Sequence, residues 1–183
     1  MAATKLFIAG FGGQGVLLIG EMITYAAMIS DKEVSWMPSY GPEMRGGTAN
    51  CTVCVDDNHP IASPVASQCD VLVAMNGPSL EAFEDMLVPG GKLFINSSII
   101  QDEKPKRTDI DIYYVDCNAI AEETVGMAKA ANMVMLGAIL EKTGVVEKSV
   151  MEKAFTYFFS GKKEKFIPAN VKALEAWKDE VTA

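Results

Sequence analysis

Histidine, cysteine and long apolar runs are all scarce in this chain of 183 residues, and each shortage closes off a class of chemistry. The single histidine, His59, sits in the polar stretch Asp56-Asp57-Asn58-His59-Pro60. A Ser/His/Asp triad or a multi-histidine metal site therefore has little to work with, and His59 reads as a loop residue. Four cysteines, Cys51, Cys54, Cys69 and Cys117, are too few and too scattered for a disulfide scaffold in a chain of this size, and are expected to be reduced thiols. No apolar run approaches the roughly 20 residues that span a bilayer, and no basic segment followed by an apolar one opens the chain. A cytoplasmic protein without a membrane segment is expected. Sixteen basic against 24 acidic residues give a net charge of -8, the wrong sign for affinity built on neutralising nucleic-acid phosphates.

What is present is an ordinary globular balance, 49% apolar and 22% charged, enough to bury a sizeable core. At about 150 residues per domain, one domain is expected over residues 1–183, with an α/β core over about 4–116 and a helical tail over about 117–183. Lys5-Leu6-Phe7-Ile8-Ala9 is a short apolar run ended by glycines, the pattern of a strand buried on both faces. From Gly13 to about Ser30, Val16, Ile19, Ile23 and Ala27 recur at helical spacing. The segments 34–37, 71–75, 92–95 and 112–115 repeat the strand signature, with a helix starting near Pro78 and a Pro89-Gly90-Gly91 turn before the strand at 92. Strands alternating with helices predict a three-layer, Rossmann-like, mostly parallel sheet with helices on both faces.

Residues 48–56 differ, because Ala49, Cys51, Val53 and Val55 alternate with polar or small neighbours; this predicts a half-buried strand, antiparallel or at an edge. Helices are then predicted over 118–125, 129–142, 147–159 and 169–181, the last with Val171, Leu174, Trp177 and Val181 on one stripe. Residues 133–140 have no polar face, so their helix must be covered all round, by its own domain or by another subunit. The lysine-rich run 161–165 reads as a solvated loop.

Gly10-Phe11-Gly12-Gly13-Gln14-Gly15 fits G-x-G-x-x-G after a strand and before a helix, where backbone N–H groups and the helix dipole can hold a phosphate. A nicotinamide site also wants an acid at the end of the second strand, and that strand ends in Pro38, with Asp31 and Glu33 lying before or at its start. Phosphate or cofactor contact and a tight turn for helix packing both remain open. S-adenosylmethionine methyltransferases share the glycine loop and the Pro-Gly-Gly turn, but no acid precedes Gly10 and Gln14 stands where a glycine belongs. Cys51-x-x-Cys54 lies on a strand, where residues three apart point to opposite faces, so a shared metal is not expected. The segment 36–48 combines two prolines, three glycines, Tyr40, Glu43 and Arg45. Arg45 offers a planar fork for carboxylate or phosphate, and Gly46-Gly47 would admit a ligand close to the backbone; an internal Glu43/Arg45 ion pair is the plainer alternative.

Four separated motifs, Gly10 to Val16, Tyr40-Gly41-Pro42-Glu43-Met44-Arg45-Gly46-Gly47, Met75-Asn76 with Pro78-Ser79, and Ala131-Asn132-Met133 with Leu136-Gly137, resemble the gamma subunit of the 2-oxoacid:ferredoxin oxidoreductases. The resemblance runs from Lys5 to about Gly144 and is nearer the 2-oxoglutarate and branched-chain types than the pyruvate enzymes. It implies a non-catalytic subunit of a thiamine diphosphate-dependent enzyme that converts a 2-oxoacid and coenzyme A to acyl-CoA, carbon dioxide and reduced ferredoxin. Thiamine diphosphate, magnesium and [4Fe-4S] clusters would then sit on alpha and beta partner subunits, with delta an optional further chain, because this chain lacks a Gly-Asp-Gly thiamine segment and cluster cysteines. It further implies that Gly12, Gly13, Gln14, Gly15 and Arg45 face coenzyme A or the active site. Tyr40, Gly41, Pro42, Glu43, Gly46, Gly47, Asn76 and Asn132 would face the partner. A stand-alone Rossmann enzyme using NAD(P) or S-adenosylmethionine is the competing expectation.

Overall fold

The computed structural model describes residues 3–40 and 48–178. Six strands, β1 (Thr4–Phe11), β2 (Glu33–Tyr40), β3 (Thr48–Asp56), β4 (Cys69–Ala74), β5 (Leu87–Asn96) and β6 (Asp111–Val115), form one sheet in the order β2-β3-β1-β4-β5-β6. β1, β4, β5 and β6 pair in parallel, whereas β3 runs antiparallel to both its neighbours, β1 and β2. The sheet is mostly parallel, as the alternation of elements predicts, with one reversed strand inside it.

The helices are α1 (Val16–Met28), α2 (Gly77–Phe83), α3 (Cys117–Ala119), which continues as a π-helical turn Ile120–Val125, α4 (Ala131–Thr143), α5 (Met151–Phe158) and α6 (Ile167–Ala176). Strand residues alternate between faces, and the two faces are covered unequally. Leu6, Ile8, Val71, Val73 and Phe94 join the side chains of α1, α4, α5 and α6 in the larger core. Among the described residues Phe7, Ala9, Leu72, Leu93 and Ile95 meet the smaller cover of α2 with its trailing 3-10 turn, Ile100 and Ile110. Each large apolar side chain taken fully out of water contributes about 1.5–3 kcal/mol, so most of the hydrophobic stabilisation lies on the first face.

Residues 132–140 of α4 are all buried, and the cover comes from this chain's own sheet, α1 and α6. Gly137 permits this, because a Cβ there would run into the backbone of Leu174 in α6. The all-apolar stretch is thus core and does not require a second subunit.

Several sequence expectations are corrected. β3 is neither half-buried nor at an edge: Thr52, Cys54 and Asp56 are buried as well as the apolar set. Thr52 lies directly between Phe7 of β1 and Met37 of β2, so larger same-face neighbours shield it. β2 takes the edge instead and runs on through Pro38, tolerable there because an edge strand need not donate on both sides. Pro89-Gly90-Gly91 falls inside β5, where Gly90 at φ 76° accompanies a register shift against β4, a bulge and not a separating turn. The final helix ends at Ala176, so Trp177 caps its buried stripe and Val181 lies outside the described residues. The lysine-rich run forms an exposed 3-10 helix, Gly161–Phe166.

Candidate functional site

Because β1, β2, β4, β5 and β6 point the same way, the glycine loop after β1, Met75-Asn76 after β4, Asn96 and Ser98 after β5 and Cys117 after β6 all gather at the carboxyl edge of the sheet. Open α/β sheets present ligand-binding loops at this edge. The glycines of the first loop have different tasks. Gly15 starts α1 at φ 76°, and any Cβ on it would press into the amide of Asn132, so it fixes how closely α1 and α4 approach. Gly13, at φ 100°, is exposed, with no atom of the described residues within 4 Å of where a Cβ would stand. Its requirement is the backbone conformation alone.

Gln14 ties this loop to the next one. Its Oε1 accepts from the Phe11 N–H at 2.6 Å and from Asn76 Nδ2 at 3.1 Å, and its Nε2 donates to the Met75 carbonyl at 3.0 Å. Asn76, 1% exposed, also caps α2 by accepting from the Ser79 N–H at 2.9 Å. The side chains of Gln14 and Asn76 are thus engaged with the chain itself. What they hold in place is the backbone of Gly12, Gly13 and Gly15.

Beside this clasp lies a cleft of about 190 Å³, lined by Gly13, Gln14, Met75, Asn96, Lys129 and Asn132 among others. A second hollow of about 250 Å³, bounded by Phe11, Gly12, Leu17 and Ala49, flanks the other side of the loop. Asn96 is fully buried; its Nδ2 donates to Asn118 Oδ1 at 3.0 Å, and its Oδ1 has no partner among the described residues. The first turn of α1 carries neither a side-chain cap nor an acidic residue, so its N–H groups open here beside Lys129, whereas α4 continues from the 3-10 turn Ala128–Ala130, which already takes up the Ala131 N–H. The cleft is rich in donors, and among the described residues no Ser, Thr, Cys or His lines it.

Gly12, Gly13, Gln14, Gly15, Asn76 and Asn132, singled out in the sequence, come together at this edge. Gly41, Pro42, Glu43, Arg45, Gly46 and Gly47, with the Tyr40 side chain, lie outside the described residues. The backbone of Tyr40 pairs with Ala49, which pairs with Gly10. Sequence reading missed Asn96, Asn118 and Lys129; Asn96 ends β5, and a strand's carboxyl end is the signal that could have marked it.

Cys51 and Cys54 are buried on opposite faces of β3. Burial pushes the Cys51 and Cys69 thiols up to about 12, and Cys117 higher still, so none of these three is a thiolate at neutral pH. His59 is an exposed loop residue whose N–H donates to Asp56 Oδ1 at 2.9 Å. Among the described residues no group of three or more His, Cys, Asp or Glu is placed to hold a metal, and no helix is long and apolar enough to cross a membrane.

The model of the pyruvate ferredoxin/flavodoxin oxidoreductase family matches residues 5–178. The chain belongs to that family. Within the pyruvate ferredoxin/flavodoxin oxidoreductases, it is 34% identical over 151 residues to the 2-oxoglutarate synthase subunit KorC of Methanocaldococcus jannaschii, covering 82% of this chain and 80% of that one. It is 41% identical over 174 residues to the ketoisovalerate oxidoreductase subunit VorA of Methanothermobacter thermautotrophicus. That match takes in 94% of this chain, which spans only 35% of the VorA length. The crystal structure of a keto/oxoacid ferredoxin oxidoreductase gamma subunit from Geobacter sulfurreducens superposes with a TM-score of 0.79 at 32% identity, covering 94% of this chain and 95% of that one.

The sheet order of this chain also separates it from the dinucleotide folds. In this chain β3 stands between β1 and β2, and strands are about 4.8 Å apart, so the end of β2 lies two strand spacings from the glycine loop. A ribose-binding acid in the usual place next to β1 has no strand to stand on.

Proposed function

We propose that this chain is the gamma-type subunit of a coenzyme A-dependent 2-oxoacid:ferredoxin oxidoreductase, acting on 2-oxoglutarate in first place and a branched-chain 2-oxoacid in second. The observation that carries the reading is likeness over nearly the whole length, on both sides, to separate gamma-type chains: 80% of KorC and 95% of the Geobacter gamma subunit. The VorA match keeps the branched-chain substrate as the second choice.

In this reading the covalent steps belong to alpha and beta partners, which hold thiamine diphosphate, magnesium and the [4Fe-4S] clusters. Among the described residues the cysteines do not fit a [4Fe-4S] cluster, since they are buried and the pair on β3 points apart. Coenzyme A suits the carboxyl edge better: the donors beside Gly12, Gly13 and Gly15, with Lys129, match its phosphates, and coenzyme A would supply the thiol that accepts the acyl group. Arg45, which lies outside the described residues, is assigned the same role on the planar fork its side chain offers a phosphate. Gln14 acts by positioning that loop.

The test is affinity purification of the tagged chain under anaerobic conditions with mass spectrometry of what accompanies it. The expected result is larger chains carrying thiamine diphosphate and iron–sulfur clusters, and an eluate that reduces ferredoxin with 2-oxoglutarate and coenzyme A. A chain that comes alone overturns the reading. Within the complex, Arg45→Ala is expected to raise the coenzyme A KM about tenfold or more, the scale of one lost charge-assisted contact. An unchanged KM removes Arg45 from that role.

A further inference from the structure

A hollow of about 270 Å³ opens next to the cleft, where the start of α1, the start of α4, the end of α5 and the 3-10 helix before α6 converge. Leu18, Met127, Phe159 and Phe166 give it apolar walls, and Lys129 and Lys163 stand on its rim. Phe166 is 41% exposed, with Lys165 Nζ 5.1 Å from its ring centre.

The charge here runs against that of the molecule. The chain has a net charge of -8, yet residues 161–165 hold three lysines and one acid, and that acid, Glu164, accepts from the Gly161 N–H at 3.1 Å. Lys129 and Lys163 form no ion pair among the described residues. An apolar groove with an unneutralised basic rim, on an otherwise acidic protein, is complementary to apolar side chains flanked by carboxylates.

We propose that the groove between α1, α4 and the 161–166 helix docks an acidic, aromatic- or aliphatic-bearing segment of a larger subunit of the same oxidoreductase. This rests on the reading of the chain as one subunit of a multi-chain enzyme. A second copy of the chain is a poor occupant. A two-fold contact across the groove would set Lys129 and Lys163 against their own symmetry mates, between two molecules that each carry -8.

The experiment measures binding of the full chain to the purified remaining subunits, anaerobically and at two salt concentrations, with sedimentation of the chain alone. The variants are K129E/K163E, K129R/K163R and F166A. For K129E/K163E, the expected result is a Kd raised about tenfold or more at low salt, with the gap closing as salt screens the rim. K129R/K163R should stay within about twofold, and F166A should weaken binding at both salt concentrations, as loss of an apolar anchor does. Thermal melts verify that the surface variants are folded. A Kd for K129E/K163E within about twofold of the unaltered chain overturns the groove assignment while leaving the subunit reading intact. A chain that dimerises alone, and loses the dimer on charge reversal, gives the groove to a second copy. An unaltered chain that binds none of the subunits overturns the subunit reading and this inference with it.

Discussion

The two edges of the sheet are built from the same kinds of loop but finish their polar groups differently. At the amino edge the groups satisfy one another: Lys32 Nζ lies 2.7 Å from Asp57 and donates to the Val145 carbonyl at 3.0 Å. There Asp56 Oδ1 also accepts from the N–H groups of Asn58 and His59, at 2.9 Å each. At the carboxyl edge Gln14 and Asn76 are engaged, but Asn96 Oδ1, Lys129 and the first turn of α1 keep capacity to spare. Closing an edge on itself stabilises the fold, and leaving groups open costs stability that a ligand or partner can restore. The amino edge is therefore read as structural and the carboxyl edge as the working one.

Substitutions that separate these roles sharpen the contrast. Gln14→Ala has the largest expected effect, since it leaves the Phe11 N–H, Asn76 Nδ2 and the Met75 carbonyl without their partner; a loss of about 3 kcal/mol in urea unfolding is expected. Gly15→Ala comes next, at about 2 kcal/mol, from a positive φ and the collision with Asn132. Both should lower turnover of the assembled enzyme. Lys32→Met should cost only about 1 kcal/mol, with ferredoxin reduction unchanged. If Lys32→Met abolished turnover while Gly15→Ala spared it, the two edges would have been read the wrong way round.

The smallest expected effect is on the acid limb. The Asn58 and His59 N–H groups hold the Asp56 carboxyl below its ordinary value. Its stabilisation is thus present above the unfolded value, near 3.9, and is lost as pH falls through the lower folded value. Asp56→Asn should flatten the stability profile below about pH 4 in acid unfolding curves.

How much of this the sequence shows follows from how local each feature is. β1, α1 and α4 are legible because burial repeats along one stretch of chain, and the glycine loop because its residues are consecutive. The insertion of β3 between β1 and β2 is not legible, since register is settled by pairing partners some 45 residues apart, such as Phe7 and Thr52. The same non-local pairing buries Thr52 and Cys54, which a period-two pattern assigns to solvent. The Gln14 clasp links residues 61 and 62 positions apart, so the motif shows a glycine loop but not what holds it. Lys129 and Phe166 meet at one groove only through the packing of α4 against α6.

Whether the carboxyl edge meets the rest of the enzyme is decided by hydrogen–deuterium exchange of the chain alone and in the purified complex. Slowed exchange is expected over 12–18, 75–80, 128–132 and 159–166, with 29–33, 56–59 and 143–146 unchanged. Slowed exchange confined to the second group would contradict such contact.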